Sequence, residues 1–161
     1  MVERNCARNE TGGRTGSYKF LFDNNCVSAA QFFPGRRVMT LKKAHLTANA
    51  SDRRIVEVAS ERCWIIVTVN GDDFIAEIRR YLAQSKKDEC HDLSGLVILP
   101  SDHEVQRGAL RQIERKLMLD GTSIGWRDVW LLDCCVRVSK NGTVQVNRFE
   151  RCFYCSKNGV K

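Results

Sequence analysis

The sequence predicts an α/β protein: a three-layer α/β/α sandwich around a mainly parallel central sheet, with a C-terminal β-hairpin extension. Three observations carry this reading. Apolar strand-like runs alternate four times with helical stretches, the pattern of a parallel sheet covered on both faces. The run Cys63–Val69 is β-branched and aromatic and is bounded by Asn70-Gly71-Asp72-Asp73, which fits a buried strand better than a helix. Near the end, Val136-x-Val138 and Val144-x-Val146 flank Lys140-Asn141-Gly142, the signature of a hairpin.

The elements follow in order. Residues 1–17 carry Arg4, Arg8 and Arg14, three glycines and almost nothing apolar, and read as a flexible basic arm. Tyr18–Asp23 is the first strand, with Asp23 at its carboxyl end. A helix from about Asn24 to Phe33 is closed by Pro34-Gly35. Arg36–Thr40 is a second strand, and Leu41–Ser51 a polar loop. Asp52–Arg62 reads as a helix whose core face is Ile55, Val56 and Ala59. The strand Trp64–Val69 follows, and then a helix over Phe74–Leu82. Residues 83–94 are charged and loop-like. Leu96–Leu99 is an apolar strand stopped by Pro100, and His103–Leu119 a long helix with Leu110, Ile113 and Leu117 on one face. Residues 18–119 thus form one domain, and 120–161 an extension carrying the hairpin and Cys152-x-x-Cys155.

Two registers are open to the hairpin. A two-residue Asn-Gly turn pairs Val138 with Gln145 and splits the valines between faces. A three-residue loop with Gly142 left-handed in a bulge pairs Val138 with Val144 and Val136 with Val146. The second gives one apolar face and is the expected one.

At 161 residues the chain is long enough to bury a real core. No run approaches membrane-span length and the N-terminus lacks the apolar core of a signal peptide, so the expectation is a cytoplasmic protein with no membrane partner. A net charge of +7 favours anionic partners, nucleic acid first. The plain alternative is a basic surface kept for solubility. Without an export signal, the eight cysteines are expected to be mostly reduced thiols, many of them buried.

Three acids fall at matching positions: Asp23 after the first strand, Asp52 opening a helix, and Asp73 after the strand Trp64–Val69. In open α/β sheets, chemistry gathers beyond the carboxyl ends of such strands. If these strands are neighbours, the carboxylates converge and repel, and cannot all stay ionised without a cation. Oxygen-only ligation suits Mg²⁺ or Mn²⁺, which serve phosphodiester hydrolysis. Each acid also has an ordinary explanation. Asp52 and Asp73 are good helix caps, and Asp23 could satisfy loop amides.

Phe20-Leu21-Phe22-Asp23-Asn24, then Asp52-x-x-Ile55-x-x-x-Ala59, then Val67-Thr68-x-Asn70-x-x-Asp73-Phe74 resemble, in order and spacing over residues 18–99, the motifs of a PIN-like domain. This is the nuclease fold shared by VapC-type toxins and related small RNases. The resemblance implies metal binding by Asp23, Asp52 and Asp73, with Thr68 and Asn70 shaping the site. It also implies hydrolysis of phosphodiester bonds, a nucleic-acid substrate (RNA first, with DNA left open), and an inhibitory antitoxin-like partner if the chain is the toxin of a pair. Toxin-type members carry a further acid, usually Glu, between the first strand and the Asp52-type helix. No acid lies between Asp23 and Asp52 here. Asp72, beside Asp73, is the candidate substitute, and Glu57 a poorer one.

Lys42, Lys43, Arg53 and Arg54 flank Asp52 and are candidates for holding substrate phosphates. Arg107, Arg111 and Arg115 recur every four residues opposite the apolar face of their helix, suited to a row of phosphates or simply to solvent. Cys152-x-x-Cys155 has the spacing of half a zinc knuckle. Free thiols are expected there, with structural Zn²⁺ or a tail disulfide as alternatives. Cys134 and Cys135, adjacent on a strand, should point to opposite faces and so not ligate together. Cys90-His91, His45 and His103 have no partner visible in sequence. The leading expectation is a metal-dependent ribonuclease-like protein. The alternative is a non-catalytic nucleic-acid-binding or interaction module, and a homodimer is compatible with either.

Overall fold

A strand covered on both faces must be apolar at every position, and the parallel sheet is built from such strands. In this computed structural model, which describes residues 19–62, 64–84, 95–119 and 134–149, β1 (Phe20–Phe22), β3 (Ile65–Thr68) and β4 (Leu96–Ile98) are buried throughout. With β2 (Val38–Thr40), β5 (Cys134–Val138) and β6 (Val144–Arg148) they form one six-stranded sheet in the order β2-β1-β3-β4-β5-β6. All neighbours are parallel except β5 and β6.

Successive side chains of each strand point to opposite faces, and each face has its own helical layer. On one side Phe20, Phe22, Ile65, Val67, Val97 and Val136 meet the segment Asn24–Phe33 and helix α3 (His103–Leu119). On the other, Leu21, Ile66, Leu96 and Ile98 meet helices α1 (Asp52–Arg62) and α2 (Gly71–Ala83). The protein is therefore α/β with a mostly parallel sheet sandwiched between helices. Among the described residues, no helix is long and apolar enough to cross a membrane.

Several boundaries differ from expectation for identifiable reasons. The helix after β1 is a 3-10 helix over Asn24–Phe32. Cys26, Ala29 and Phe32, the residues it packs on the sheet, recur every third position, the period of a 3-10 helix. Beyond it, the Phe33 ring meets Phe20 and Phe22 edge-on, each at 5.0 Å between centroids. A second 3-10 turn at Gly35–Arg37 shortens β2 to three residues. Helix α2 begins at Gly71 rather than Phe74, which moves Asp72 and Asp73 from a turn into its first helical turn.

The hairpin has the expected register: Val138 opposite Val144, Val136 opposite Val146, Cys134 opposite Arg148. Gly142 is left-handed, with φ 84°. Rather than standing apart, it completes the sheet, because β5 lies parallel to β4 with Val97 opposite Val136 and Ile98 opposite Arg137. Cys134 and Cys135 are buried, outside any disulfide, and on opposite faces. The basic arm, Cys90-His91 and Cys152-x-x-Cys155 lie outside the described residues.

One glycine controls how α2 seats on the sheet. A Cβ on Gly71 would stand 2.8 Å from Ile98 Cγ1 and Cγ2, closer than packed carbons come. Since Ile98 is itself buried, that contact cannot be relieved by swinging a side chain into solvent. Gly71→Ala should therefore cost about 1–3 kcal/mol of stability in urea unfolding, despite alanine's better helix propensity. An unchanged midpoint would show that α2 does not sit this close to β4.

Candidate functional site

The site is organised at the seam between β1 and β3. The connection after β1 leaves over one face toward β2, and that after β3 leaves over the other toward β4. This divergence opens a crevice at the carboxyl ends, where ligands bind in doubly wound sheets. Phe22 is opposite Val67, and the Asp23 amide donates to the Val67 carbonyl at 3.0 Å. Pairing thus carries Asp23 one residue past its strand and beside Thr68.

A chain of hydrogen bonds then crosses the crevice. The hydroxyl of Thr68, fully buried, donates to Asp23 Oδ2 at 3.2 Å. It also accepts the Asn70 amide at 2.9 Å, and Asn70 Nδ2 donates to Asp73 Oδ2 at 2.7 Å. Thr68 and Asn70, expected to shape the site, connect the first acid to the third.

The ordinary explanations for the acids are not realised. Asp23 precedes the 3-10 helix but its side chain caps nothing. At α1 the capping oxygen is that of Ser51, which accepts the Arg54 amide at 3.2 Å, leaving Asp52 as the first helical residue. At α2, Asn70 holds the cap position without a side-chain capping bond and is turned onto Asp73 instead.

Asp52 reports on its surroundings. Its carboxyl is held above the usual carboxylate range, first by burial and then by the negative charges of Asp23, Asp73 and Glu77. One electrostatic neighbourhood therefore contains all three expected acids and a fourth. Glu77 was not singled out from sequence, although it lies four residues after Asp73 and hence on the same helical face. Its carboxylate also pairs with Arg80 at 2.6 Å.

Asp72 has a different place. Its carboxylate, 92% exposed, meets the Arg137 guanidinium at 3.3 Å and so ties the start of α2 to β5. Arg137 could be found only from the strand order, which sets it opposite Ile98. Glu57 is paired with Arg53 at 3.0 Å and Arg54 at 3.4 Å, and its hydrogen bond to Arg53 is the main cause holding its carboxyl below the usual range.

The basic candidates divide. Arg53 is engaged with Glu57, with Gln84 and with the Tyr81 ring, 5.5 Å from its guanidinium. Lys42 and Lys43 are exposed, on a loop anchored by buried Leu41 and Ala44. Asn24 Nδ2 donates to the Ala48 carbonyl at 2.8 Å, holding that loop against the end of β1. The loop that carries the lysines is therefore held at the carboxyl edge of the sheet. Arg107, Arg111 and Arg115 are exposed on α3, in the opposite layer from Asp52 and Asp73.

Cys26, next to the site in space, is not a nucleophile. Burial first, and then the charge of Asp23, push its thiol up to about 12, so it stays protonated at neutral pH.

Asp23, Asp52 and Asp73 offer carboxylate oxygens, the donor type that hard divalent ions take. Among the described residues, however, no group of three or more His, Cys, Asp or Glu side chains is placed to hold a metal ion.

Asp52 yields a pH test. A carboxyl raised in the fold ionises first in the unfolded chain. Its full contribution to stability is therefore present below the ordinary value of 3.8 and is lost as pH rises through the higher folded value. Asp52→Asn should match the parent near pH 3 and melt higher at pH 7 in metal-free buffer. The gain stays below about 1 kcal/mol, because water screens a partly exposed carboxylate. A variant less stable than the parent at pH 7 would remove the crowding argument.

No family model, curated protein or solved structure matches the chain, so the site's own chemistry carries the functional reading.

Proposed function

We propose that this protein is a divalent-metal-dependent endoribonuclease of PIN-like architecture, with Asp23, Asp52 and Asp73 as its metal-binding acids. The observation that carries the reading is the hydrogen-bond chain from Asp23 through Thr68 and Asn70 to Asp73 at the switch point of the sheet, with Asp52 within electrostatic reach of both acids. Carboxylates this near one another favour a cation. Bound Mg²⁺ or Mn²⁺ would supply charge neutralisation at phosphate and a more acidic water.

The chain's own residues do the rest. Thr68 and Asn70 fix the orientations of Asp23 and Asp73 through the bonds described. Lys42 and Lys43 hold the backbone of the substrate at the carboxyl edge of the sheet. Glu77 takes the place of the acid absent between Asp23 and Asp52, either on the ion or as a base toward water. Regulation as a toxin would need an inhibitory protein that covers the acids, and the crevice is open to one.

The missing acid favours one other reading: a binding module that keeps the sheet and the crevice without turnover. Incubation of labelled single-stranded RNA with Mn²⁺ separates the two. Cleavage should fall by about 100-fold or more in Asp23→Asn/Asp73→Asn, with RNA still bound. Glu77→Gln should lose about tenfold or more if Glu77 completes the site. Equal cleavage by parent and double variant, or none by either, would leave only the binding module.

A further inference from the structure

The outer face of α3 is unlike the other helical surfaces. The helix buries Gln106, Ala109 and Ile113 against the sheet layer. Arg107, Arg111 and Arg115 are exposed, running from the flank beside the Asn24–Phe32 segment onto the outer face of the helix. Four residues of helix rise about 6 Å, so the three guanidinium groups form a row with an even step.

Among the described residues, little neutralises that row. Arg107 pairs with Glu104 at 3.6 Å, but both side chains are largely exposed and such a pair holds weakly. Among the described residues, Arg111 and Arg115 have no ion pair. Glu114, the acid on the flank, is half-buried, and burial holds its carboxyl above the usual range. Arg107 also lies over the Phe32 ring, 5.7 Å from its centroid, a contact that holds its guanidinium near the protein surface.

The ligand class follows from what the row has and lacks. A guanidinium fork suits phosphate or carboxylate alike. A protein partner, however, requires apolar or aromatic anchors. The single large hydrophobic exposed among the described residues is Val27, outside α3. A repeating anion spaced along a flexible strand fits an even row of cations better. Helix α3 begins five residues beyond β4, the neighbour of β3, so its Arg107 end lies nearest the carboxyl edge that carries the acids.

We propose that Arg107, Arg111 and Arg115 form a phosphate track for single-stranded RNA, leading away from the carboxylate crevice over the opposite helical layer. The proposal deepens the ribonuclease reading and rests on it for the direction of the strand, but its binding test does not require turnover. Lys42 and Lys43 would hold phosphates at the crevice, and the track would hold the strand beyond it. The track explains why a basic row sits in the layer remote from Asp52 and Asp73.

The test is RNA binding by the full chain in EDTA, where no cleavage can occur. Anisotropy of a fluorescein-labelled 20-nucleotide oligouridylate is followed from 50 to 200 mM KCl. Each lost phosphate contact should flatten the slope of log affinity against log salt by about 0.7. Arg111→Gln/Arg115→Gln should flatten it by about 1.4, and the triple variant with Arg107→Gln by about 2, with affinity at 50 mM KCl about tenfold or more weaker. The double variant leaves the Arg107–Phe32 contact in place, and a melting temperature equal to the parent's secures the fold. Replacement of all three by lysine should keep most of the slope.

Parental slope and affinity in both glutamine variants would overturn the track, as would displacement of RNA by polyglutamate of equal charge at equal concentration. A flattened slope in the arginine variants, together with no Mn²⁺-dependent cleavage by the parent, would retain the track while ending the nuclease reading.

Discussion

The contact between Thr68 and Asp23 is the constraint on which the site depends. One hydroxyl donates to the Asp23 carboxylate and accepts the Asn70 amide, so β1, the end of β3 and the entry to α2 meet at a single atom. The hydroxyl is placed by register: Phe20 opposite Ile65 leaves Thr68 level with Asp23 and on the face that α2 covers. A slip of one residue would turn Thr68 to the other helical layer and Val67 toward the acids. The same register sets Thr68 opposite Ile98, on which Gly71 rests. Hydrogen bonding, strand pairing and the close seating of α2 are thus different views of one alignment.

That alignment is not the arrangement that stability alone would select. Asp23 is only 7% exposed, and a single hydroxyl is a modest partner for a buried carboxylate. Its charge bears on Asp52 and raises the Cys26 thiol. Side-chain capping would have offered Asp52 and Asp73 comfortable roles, yet Ser51 takes the cap at α1 and Asn70 faces Asp73 at α2. Local rules broken together at one place, with only Thr68 and Asn70 as side-chain partners of Asp23 and Asp73 among the described residues, are consistent with the cation proposed above.

Much of the fold was legible because it rests on local period. The helices Asp52–Arg62 and His103–Leu119 followed from apolar spacing and helix signals, and the hairpin register from the need for one apolar face. The 3-10 helix was harder, because Cys26, Ala29 and Phe32 recur at a period that few sequences sustain for nine residues. The three acids were legible as strand-end and helix-start positions. Glu77 was not, because its role depends on α2 starting at Gly71 and turning that face toward Asp52. Arg137 depends on strand order, which no local pattern encodes. The cap at α1 is hidden for the same reason: residue type shows that Asp52 could cap, but the neighbouring Ser51 takes that role.

A basic protein with an acidic crevice has a consistent electrostatic logic. At net charge +7 the molecule as a whole attracts polyanions, and the attraction is long-ranged but screened by salt. The carboxylates act at shorter range and in the opposite sense, repelling phosphate until a cation intervenes. On the proposed reading, capture of nucleic acid and attack on it would be separable. Arginines on α3 and the lysines after β2 would need no metal to hold a backbone, whereas the acids would repel a phosphate without one. The bound cation would then be the selective step, since the strand would already be held when the acids acquire the charge that lets the phosphate in.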